Sequence, residues 1–329
     1  MVTRIMPFHR ATARTGREFA ASKNVSPPRI SPILSKDEKL GGFGSESMNG
    51  FVELTEAQRK QFHDEGYLIV RNALDADLIG RLLEAGDRLI ATDERFNRYQ
   101  TSEYYDGFRN CIVMDDAFIP LLTNSVALPL VIQLMGANLQ LSTSHLIYRH
   151  PDPPGTPDSI RRPGWHRDGG RTQLDLGQGN YPRMGLKCAF YLTDLSQPNS
   201  GVTMLAPGSN QLKERIDIPA GAADPANAIE PLLNPGDCVI FEYRTWHAGA
   251  PNFTDFTRKA VMIGYGYRWL KPMDYIKQEL SFVEKLSDIE KYLVGEEVDD
   301  TQEFQPQGGL NPLNEWCAEH GVEPDRMGL

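Results

Sequence analysis

Apolar residues recur at helical spacing near both ends of the ordered part of the chain and at strand spacing through its middle. Thr55-Glu56-Ala57-Gln58 reads as the start of a short helix with Thr55 as N-cap, because its hydroxyl accepts from an otherwise orphaned backbone N–H. Residues 66–71, Gly-Tyr-Leu-Ile-Val-Arg, are bulky and β-branched enough for a strand. Asp75 or Asp77 caps a second helix to about Ala91, with Leu78, Ile79, Leu82, Leu83 and Leu89 as its apolar positions. Residues 93–117 are polar and aromatic without a clear period. Residues 118–136 return to helical spacing, ended by Gly136.

From Leu139 the period shortens to two, predicting strands over 139–148, 184–193, 202–205, 238–243 and 259–269. Turn signals stand between them: Pro198-Asn199-Ser200-Gly201, Pro207-Gly208-Ser209 and Pro235-Gly236-Asp237. A Pro/Gly-rich loop fills 151–163. Several short strands so punctuated predict an all-β core with flanking helices, a double-stranded, cupin-like jelly roll. Residues 274–293 regain helical spacing, with Ile276, Leu280, Val283, Leu286, Ile289 and Leu293 as one stripe for the barrel's outside. The tail beyond the acidic Glu296-Glu297-Val298-Asp299-Asp300 is irregular, and no internal repeat is visible.

Three segments follow: an arm or tail over 1–48, a barrel domain with N-terminal helices over 49–272, and a helical extension over 273–329 packing on the same domain. The arm is rich in arginine and proline, and acid-poor before Asp37. It is expected to pack on its own domain or a partner, with an organelle transit peptide as the alternative. The formal net charge of -10 argues against a nucleic-acid partner, which needs clustered Lys and Arg. No apolar run is long enough to span a membrane. Four scattered cysteines form no C-x-x-C pair, so neither a disulfide framework nor a thiolate zinc site is expected. Cys188 and Cys238 fall in apolar strand patterns and read as inert buried thiols. The expected setting is reducing and cytoplasmic; a homo-oligomer stays open.

The chemistry gathers at Trp165-His166-Arg167-Asp168. Residues two apart in a strand share a face, so an imidazole and a carboxylate can reach one ion together. With a second histidine they make the 2-His-1-carboxylate set that suits non-haem Fe(II). His247, at the end of the strand over 238–243, supplies it. Arg258 heads the next strand, where a planar guanidinium suits one end of a small dicarboxylate. Lys187 is a charge inside an apolar strand. It needs a partner or water, met either at the pocket mouth, against co-substrate or substrate, or by snorkelling to the surface. His145 sits on a strand with Thr143 and reads equally as pocket or core. Tyr148, Trp165 and Arg171 complete the candidate substrate pocket.

Taken in order, these stretches resemble the phytanoyl-CoA dioxygenase family of Fe(II)- and 2-oxoglutarate-dependent oxygenases. Residues 54–58 and 66–70 resemble its opening, and Trp165-His166-Arg167-Asp168 its proximal metal motif. Residues 199–209 resemble the strand before its Pro-Gly-Ser turn. Pro235-Gly236-Asp237 through His247, Asn252 and Arg258 resemble its distal half. The resemblance implies His166, Asp168 and His247 as iron ligands and Arg258 on the far carboxylate of 2-oxoglutarate, with Asn252 of the distal motif as a further co-substrate candidate; Lys187 joins that set from its own place in an apolar strand. It also implies Fe(II), 2-oxoglutarate and O2 as requirements, with succinate and CO2 released. Ectoine hydroxylases of the family often carry a serine two residues after the distal histidine, where this chain has Gly249. Related halogenases lack the carboxylate that Asp168 supplies, so hydroxylation or a related oxidation of a C–H bond is expected. No basic cluster suits the phosphates of CoA, which favours a free small molecule such as a natural-product intermediate or amino-acid derivative. Two other classes fit the same ligands: a metal-holding cupin without turnover, and a zinc hydrolase.

Overall fold

The computed structural model describes residues 52–296 and 311–322, apart from positions 93, 95, 154, 155 and 157–163. The arm over 1–48, most of the 151–163 loop and most of the acidic tail lie outside the described residues.

The first helix, α1 (Glu56–Glu65), opens as expected. The Thr55 hydroxyl accepts from Gln58 N, the Gln58 side chain reaches back to the Thr55 backbone, and Gly66 closes the helix at φ 81°. Strand β1 (Tyr67–Val70) follows. Asp75 caps α2 (Ala76–Ala91) through Leu78 N. The stretch expected as one helix over 118–136 is broken. A 3-10 turn spans Asp116–Leu121 with Pro120 inside it, and α3 (Ala127–Met135) begins afresh. Asn124 restarts it by accepting from Val126 N and Ala127 N.

Among the described residues, seven antiparallel strands form the larger sheet. In chain order they are β1, β2 (Arg98–Ser102), β3 (Tyr105–Arg109), β4 (Leu139–Arg149), β5 (Gly185–Tyr191), β7 (Cys238–Glu242) and β9 (Arg258–Tyr267). Their spatial order is β1-β7-β5-β9-β4-β3-β2. A smaller sheet pairs β6 (Thr203–Leu205) with β8 (His247–Gly249). Single bridges widen it, His166 to His247 on one side and Leu205 to Ile229 on the other. This two-sheet arrangement is the jelly roll read from the punctuation of the sequence. The helix α4 (Gly170–Leu176) lies between the His166 segment and β5.

Side-chain alternation on the large sheet makes two cores. The outer one holds Leu146, Tyr148, Leu186, Cys188, Phe190, Cys238, Ile240, Val261 and Ile263 against Phe62, Leu82 and the leucines of α3. Residues of the C-terminal extension, Phe282, Leu286, Leu293, Leu313 and Cys317, belong to that same cluster. The inner core lies between the sheets, with Tyr191, Val239, Phe241 and Met262 facing Met204, Leu205 and Ala248. All four cysteines are free and buried. Among the described residues no helix is long and apolar enough to cross a membrane.

The C-terminal stripe did not form as one helix. Two short helices stand there, α5 (Leu280–Val283) and α6 (Asp288–Leu293), the second restarted by a Ser287–Glu290 capping box. Ile276 is 98% exposed and Leu280 72%. Asp274 turns inward and is held by Ser144 N and Thr143, which keeps the segment that follows it off a helical path. A further helix, α7 (Pro312–His320), starts in the tail read as irregular, capped by Asn311 with Pro312 at its first position.

Gly66 joins the fold to the site. A Cβ there would fall inside the Thr245 hydroxyl and the Asn210 side chain, on a left-handed backbone besides. Gly66→Ala is expected to cost about 1–3 kcal/mol, read as a lowered denaturation midpoint in urea.

Candidate metal centre

His166 and His247 face each other across the small sheet. Each backbone N–H donates to the other's carbonyl at 3.0 Å. Directly opposed residues project to the same side, and the two imidazoles stand 4.3 Å apart between centroids. Asp168 comes two residues after His166 and is tied down by its own N–H, which donates to Tyr243 O at 3.0 Å. The Tyr181 hydroxyl donates to the Asp168 carbonyl.

Both imidazoles are oriented in the same way. His166 Nδ1 lies 2.8 Å from Gly164 O and His247 Nδ1 lies 2.9 Å from Thr245 O. A carbonyl only accepts, so each Nδ1 carries the proton and each Nε2 is left as the free lone pair. One ligand atom from each of His166, Asp168 and His247 lies within 4.8 Å of the others. Asp168 Oδ2 is buried without a hydrogen bond of good geometry. Two imidazole Nε2 atoms and one carboxylate oxygen fit a divalent transition ion.

Electrostatics agree with that set. Burial drives the His247 pKa down to about 3, helped by His166 beside it, so His247 is a neutral donor at ordinary pH. Burial alone would raise Asp168, but the Lys187 ammonium beside it outweighs that and holds the carboxyl well below the usual range. Lys187 does not snorkel. It is 6% exposed, and its Nζ lies 2.7 Å from Asp168 Oδ2.

Arg258 stands at the other end of the same inner face. It is 1% exposed, its Nε donates to Gly201 O at 2.8 Å, and its Nη1 has no partner. No carboxylate pairs with it among the described residues. A buried guanidinium with an unmet N–H calls for an anion. Asn252 is committed elsewhere. Its amide donates to Arg149 O and Phe256 O, so it braces the loop before Arg258 and keeps no donor for a ligand.

The pocket candidates divide. His145 faces inward, in register with Met262 and beside the Tyr99 ring. Tyr148 does not. Three residues further along the strand it faces outward, and its hydroxyl donates to Asp87 of α2 at 2.6 Å. Trp165 is half-buried and donates from Nε1 to Asp224 at 3.0 Å. The Arg171 side chain lies outside the described residues.

Two groups went unread in the sequence. Glu242 is fully buried and binds Arg183 Nε at 2.8 Å, Arg244 Nε at 2.8 Å and Asn210 Nδ2 at 3.1 Å, bracing the turn that leads to His247. Its signal was an acid ending the apolar run Cys238-Val239-Ile240-Phe241. Asp274 lies 3.7 Å from His145 Nε2 and 3.3 Å from Arg109 Nη1. Nothing near it in sequence marks that role.

Against known proteins, the phytanoyl-CoA dioxygenase family model matches residues 62–260. A probable alpha-ketoglutarate-dependent hypophosphite dioxygenase of Stutzerimonas stutzeri is 22% identical over 238 residues, 63% of this chain and 77% of that protein. Among solved structures, the non-haem alpha-ketoglutarate-dependent carbocyclase SnoK of nogalamycin biosynthesis is 16% identical over 71% of this chain and 92% of its own, at a TM-score of 0.51. HygX of Streptomyces hygroscopicus, with nickel, 2-oxoglutarate and hygromycin B bound, is 15% identical over 69% and 92%, at a TM-score of 0.50. The chain belongs to the phytanoyl-CoA dioxygenase family. It is an oxidoreductase that depends on Fe(II) and 2-oxoglutarate.

Asp274 gives a pH test. Burial would raise its pKa, but His145, Thr143 and Ser144 N pull it down to about 2. A carboxylate depressed in the folded state adds stability above its unfolded pKa and loses it as pH falls through the folded one. Asp274→Asn should therefore be less stable than the parent by about 2 kcal/mol at neutral pH. The gap should close between about pH 4 and pH 2, followed by urea unfolding at each pH.

Proposed function

We propose that this protein oxidises an unactivated C–H bond of a small organic substrate, with hydroxylation as the outcome and succinate and CO2 as co-products. In this reading His166, Asp168 and His247 hold Fe(II), and Arg258 grips the distal carboxylate of 2-oxoglutarate. The observation that carries it is Arg258, a fully buried cation with an unmet N–H on the inner face of the large sheet, the face the triad meets through Lys187 and Phe241. A metal-holding module without turnover has no need of such a grip, and nor has a zinc hydrolase.

The protein's own contributions are binding, orientation and exclusion of water. The carbonyls of Gly164 and Thr245 fix both imidazole tautomers. Tyr243 O and the Tyr181 hydroxyl fix the Asp168 backbone. Phe241, Met262 and the inner core keep the interior dry, which strengthens the Arg258 grip. Bound iron with 2-oxoglutarate and O2 supplies the oxidising chemistry. Related halogenases lack the carboxylate that Asp168 supplies, which supports oxygen transfer over halogenation. The Stutzerimonas relative is named for a small anion, hypophosphite, and SnoK is a carbocyclase. A shared fold thus hosts different substrates and outcomes, and the site has to decide between them.

Anaerobic titration of the Fe(II)-loaded protein with 2-oxoglutarate should raise a weak visible band at about 500 nm, as expected of an Fe(II)–keto-acid chelate. No band with iron demonstrably bound would defeat this reading. Asp168→Ala should lose iron retention and all succinate release; full turnover by that variant would remove Asp168 from the ligand set. Arg258→Ala should raise the KM for 2-oxoglutarate in uncoupled turnover by at least about thirtyfold, since it removes one partner of a buried charge pair. An unchanged KM would take Arg258 out of the co-substrate site.

A further inference from the structure

Lys187 is placed where a structural lysine would be costly. It sits on the inner face of a central strand, with Gly264 of β9 and Phe241 of β7 opposite it in register. Its Nζ lies 5.8 Å from the Phe241 ring centroid and 2.7 Å from Asp168 Oδ2. Only 7% of its side chain is exposed, so the ammonium has given up most of its water. Among the described residues, the one acid it touches is Asp168, also a member of the triad. Asp274, the other acid of this end, is already engaged by Thr143, Ser144 N and Arg109.

That arrangement asks Asp168 Oδ2 to serve two cations. The formal charges of the inner face sharpen the conflict. Lys187 and Arg258 outnumber Asp168 by one positive charge. A divalent ion beside them raises the excess to three. 2-Oxoglutarate, a dianion, lowers it to one. Like charges this close and this dry repel strongly, so an ion on the triad weakens the hold of Asp168 on Lys187 and leaves the ammonium in need of another anion. Arg258, at the head of β9, is too far along the strand to hold an anion at this end. It is in register with Arg149, whereas Lys187 is in register with Gly264.

We propose that Lys187 is the anion grip at the metal end of the pocket, holding Asp168 in place until the ion takes that carboxylate and then turning its charge to an anionic group seated beside the ion. The proposal rests on the triad and Arg258 having the roles given above. It makes two ligands interdependent: the ion binds weakly alone and tightly with an anion, and the coupling runs through one side chain. The recognised chemistry is a carboxylate or a similar small oxyanion. Its source is either 2-oxoglutarate or the substrate to be oxidised.

The test uses Mn(II), which does not turn over, with the full chain. Free Mn(II) is followed by electron paramagnetic resonance with and without 2-oxoglutarate, in the parent, Lys187→Met and Lys187→Arg. The expected result is that Lys187→Met binds Mn(II) alone about tenfold or more tighter than the parent. Lys187→Arg, which keeps the charge, should follow the parent. Circular dichroism and the thermal midpoint of each variant report folding, and a misfolded Lys187→Met is replaced by Lys187→Gln in the same comparison. If 2-oxoglutarate is the source of the anion, its affinity for the Mn(II)-loaded protein falls in Lys187→Met. If the substrate is the source, 2-oxoglutarate affinity is unchanged. The Mn(II)·2-oxoglutarate form of the parent then binds hypophosphite or acetate in isothermal titration, and Lys187→Met does not. Equal Mn(II) affinity in parent and Lys187→Met would overturn the proposal and leave the metal-site reading intact. No Mn(II) binding by the parent, even with 2-oxoglutarate, would overturn both.

Discussion

Two backbone hydrogen bonds, exchanged between His166 and His247, set the geometry on which the site depends. They join the segment after the 151–163 loop to the small sheet and fix the register in which both imidazoles face one point. A slip of one residue would send one ring to the opposite side. The surrounding contacts guard that register. Glu242 with its two arginines braces the turn before His247, and Thr245 anchors it to Gly66 O at 2.8 Å. Arg167 donates to Ser209 O and Leu212 O and so pins the residue between His166 and Asp168. Backbone carbonyls thus hold Arg167 and Thr245, and side chains hold Glu242, which suits a centre that must hold its shape.

The two cores divide the labour. The outer one, with its helices and C-terminal extension, makes the large sheet a stiff wall. The inner one is narrow and ends in charge at both extremities, Lys187 with Asp168 at one and Arg258 at the other. A small molecule with a carboxylate can be held by its far end while its near end lies at the metal ligands. The polarity of the pocket is thus written along β9, from Arg258 at its head to Gly264 near its end.

Much of this was legible in the sequence. Thr55, Asp75 and Gly136 marked helix ends because each offers a distinct local solution to unpaired backbone groups. The apolar runs of β4, β5, β7 and β9 are buried enough to show as strands. The edge strand β2 and its neighbour β3 were not legible. They are held by pairing and by the Arg98–Asp106 ion pair at 2.6 Å, so they need no apolar alternation. The break in the C-terminal stripe was hidden for a similar reason, since Asp274 is fixed by atoms of β4 more than a hundred residues away in sequence. In the site, spacing alone suggested that His166 and Asp168 share a face, whereas Tyr148 was misplaced because three residues along a strand reverse the face. The pairing of Glu242 with Arg183 could be suspected from a charge in an apolar run, but its partner could not.

The ligands also belong to segments far apart in the chain. An ion shared by His166, Asp168 and His247 would close a loop of about 80 residues, one that contains β5, β6 and β7. Closing a loop of that length removes much conformational freedom from the unfolded chain, as a disulfide does. The metal centre then acts as a reversible cross-link as well as a reagent. Amide hydrogen exchange and proteolytic resistance throughout the strands within that loop become a measure of iron occupancy, far from the centre itself.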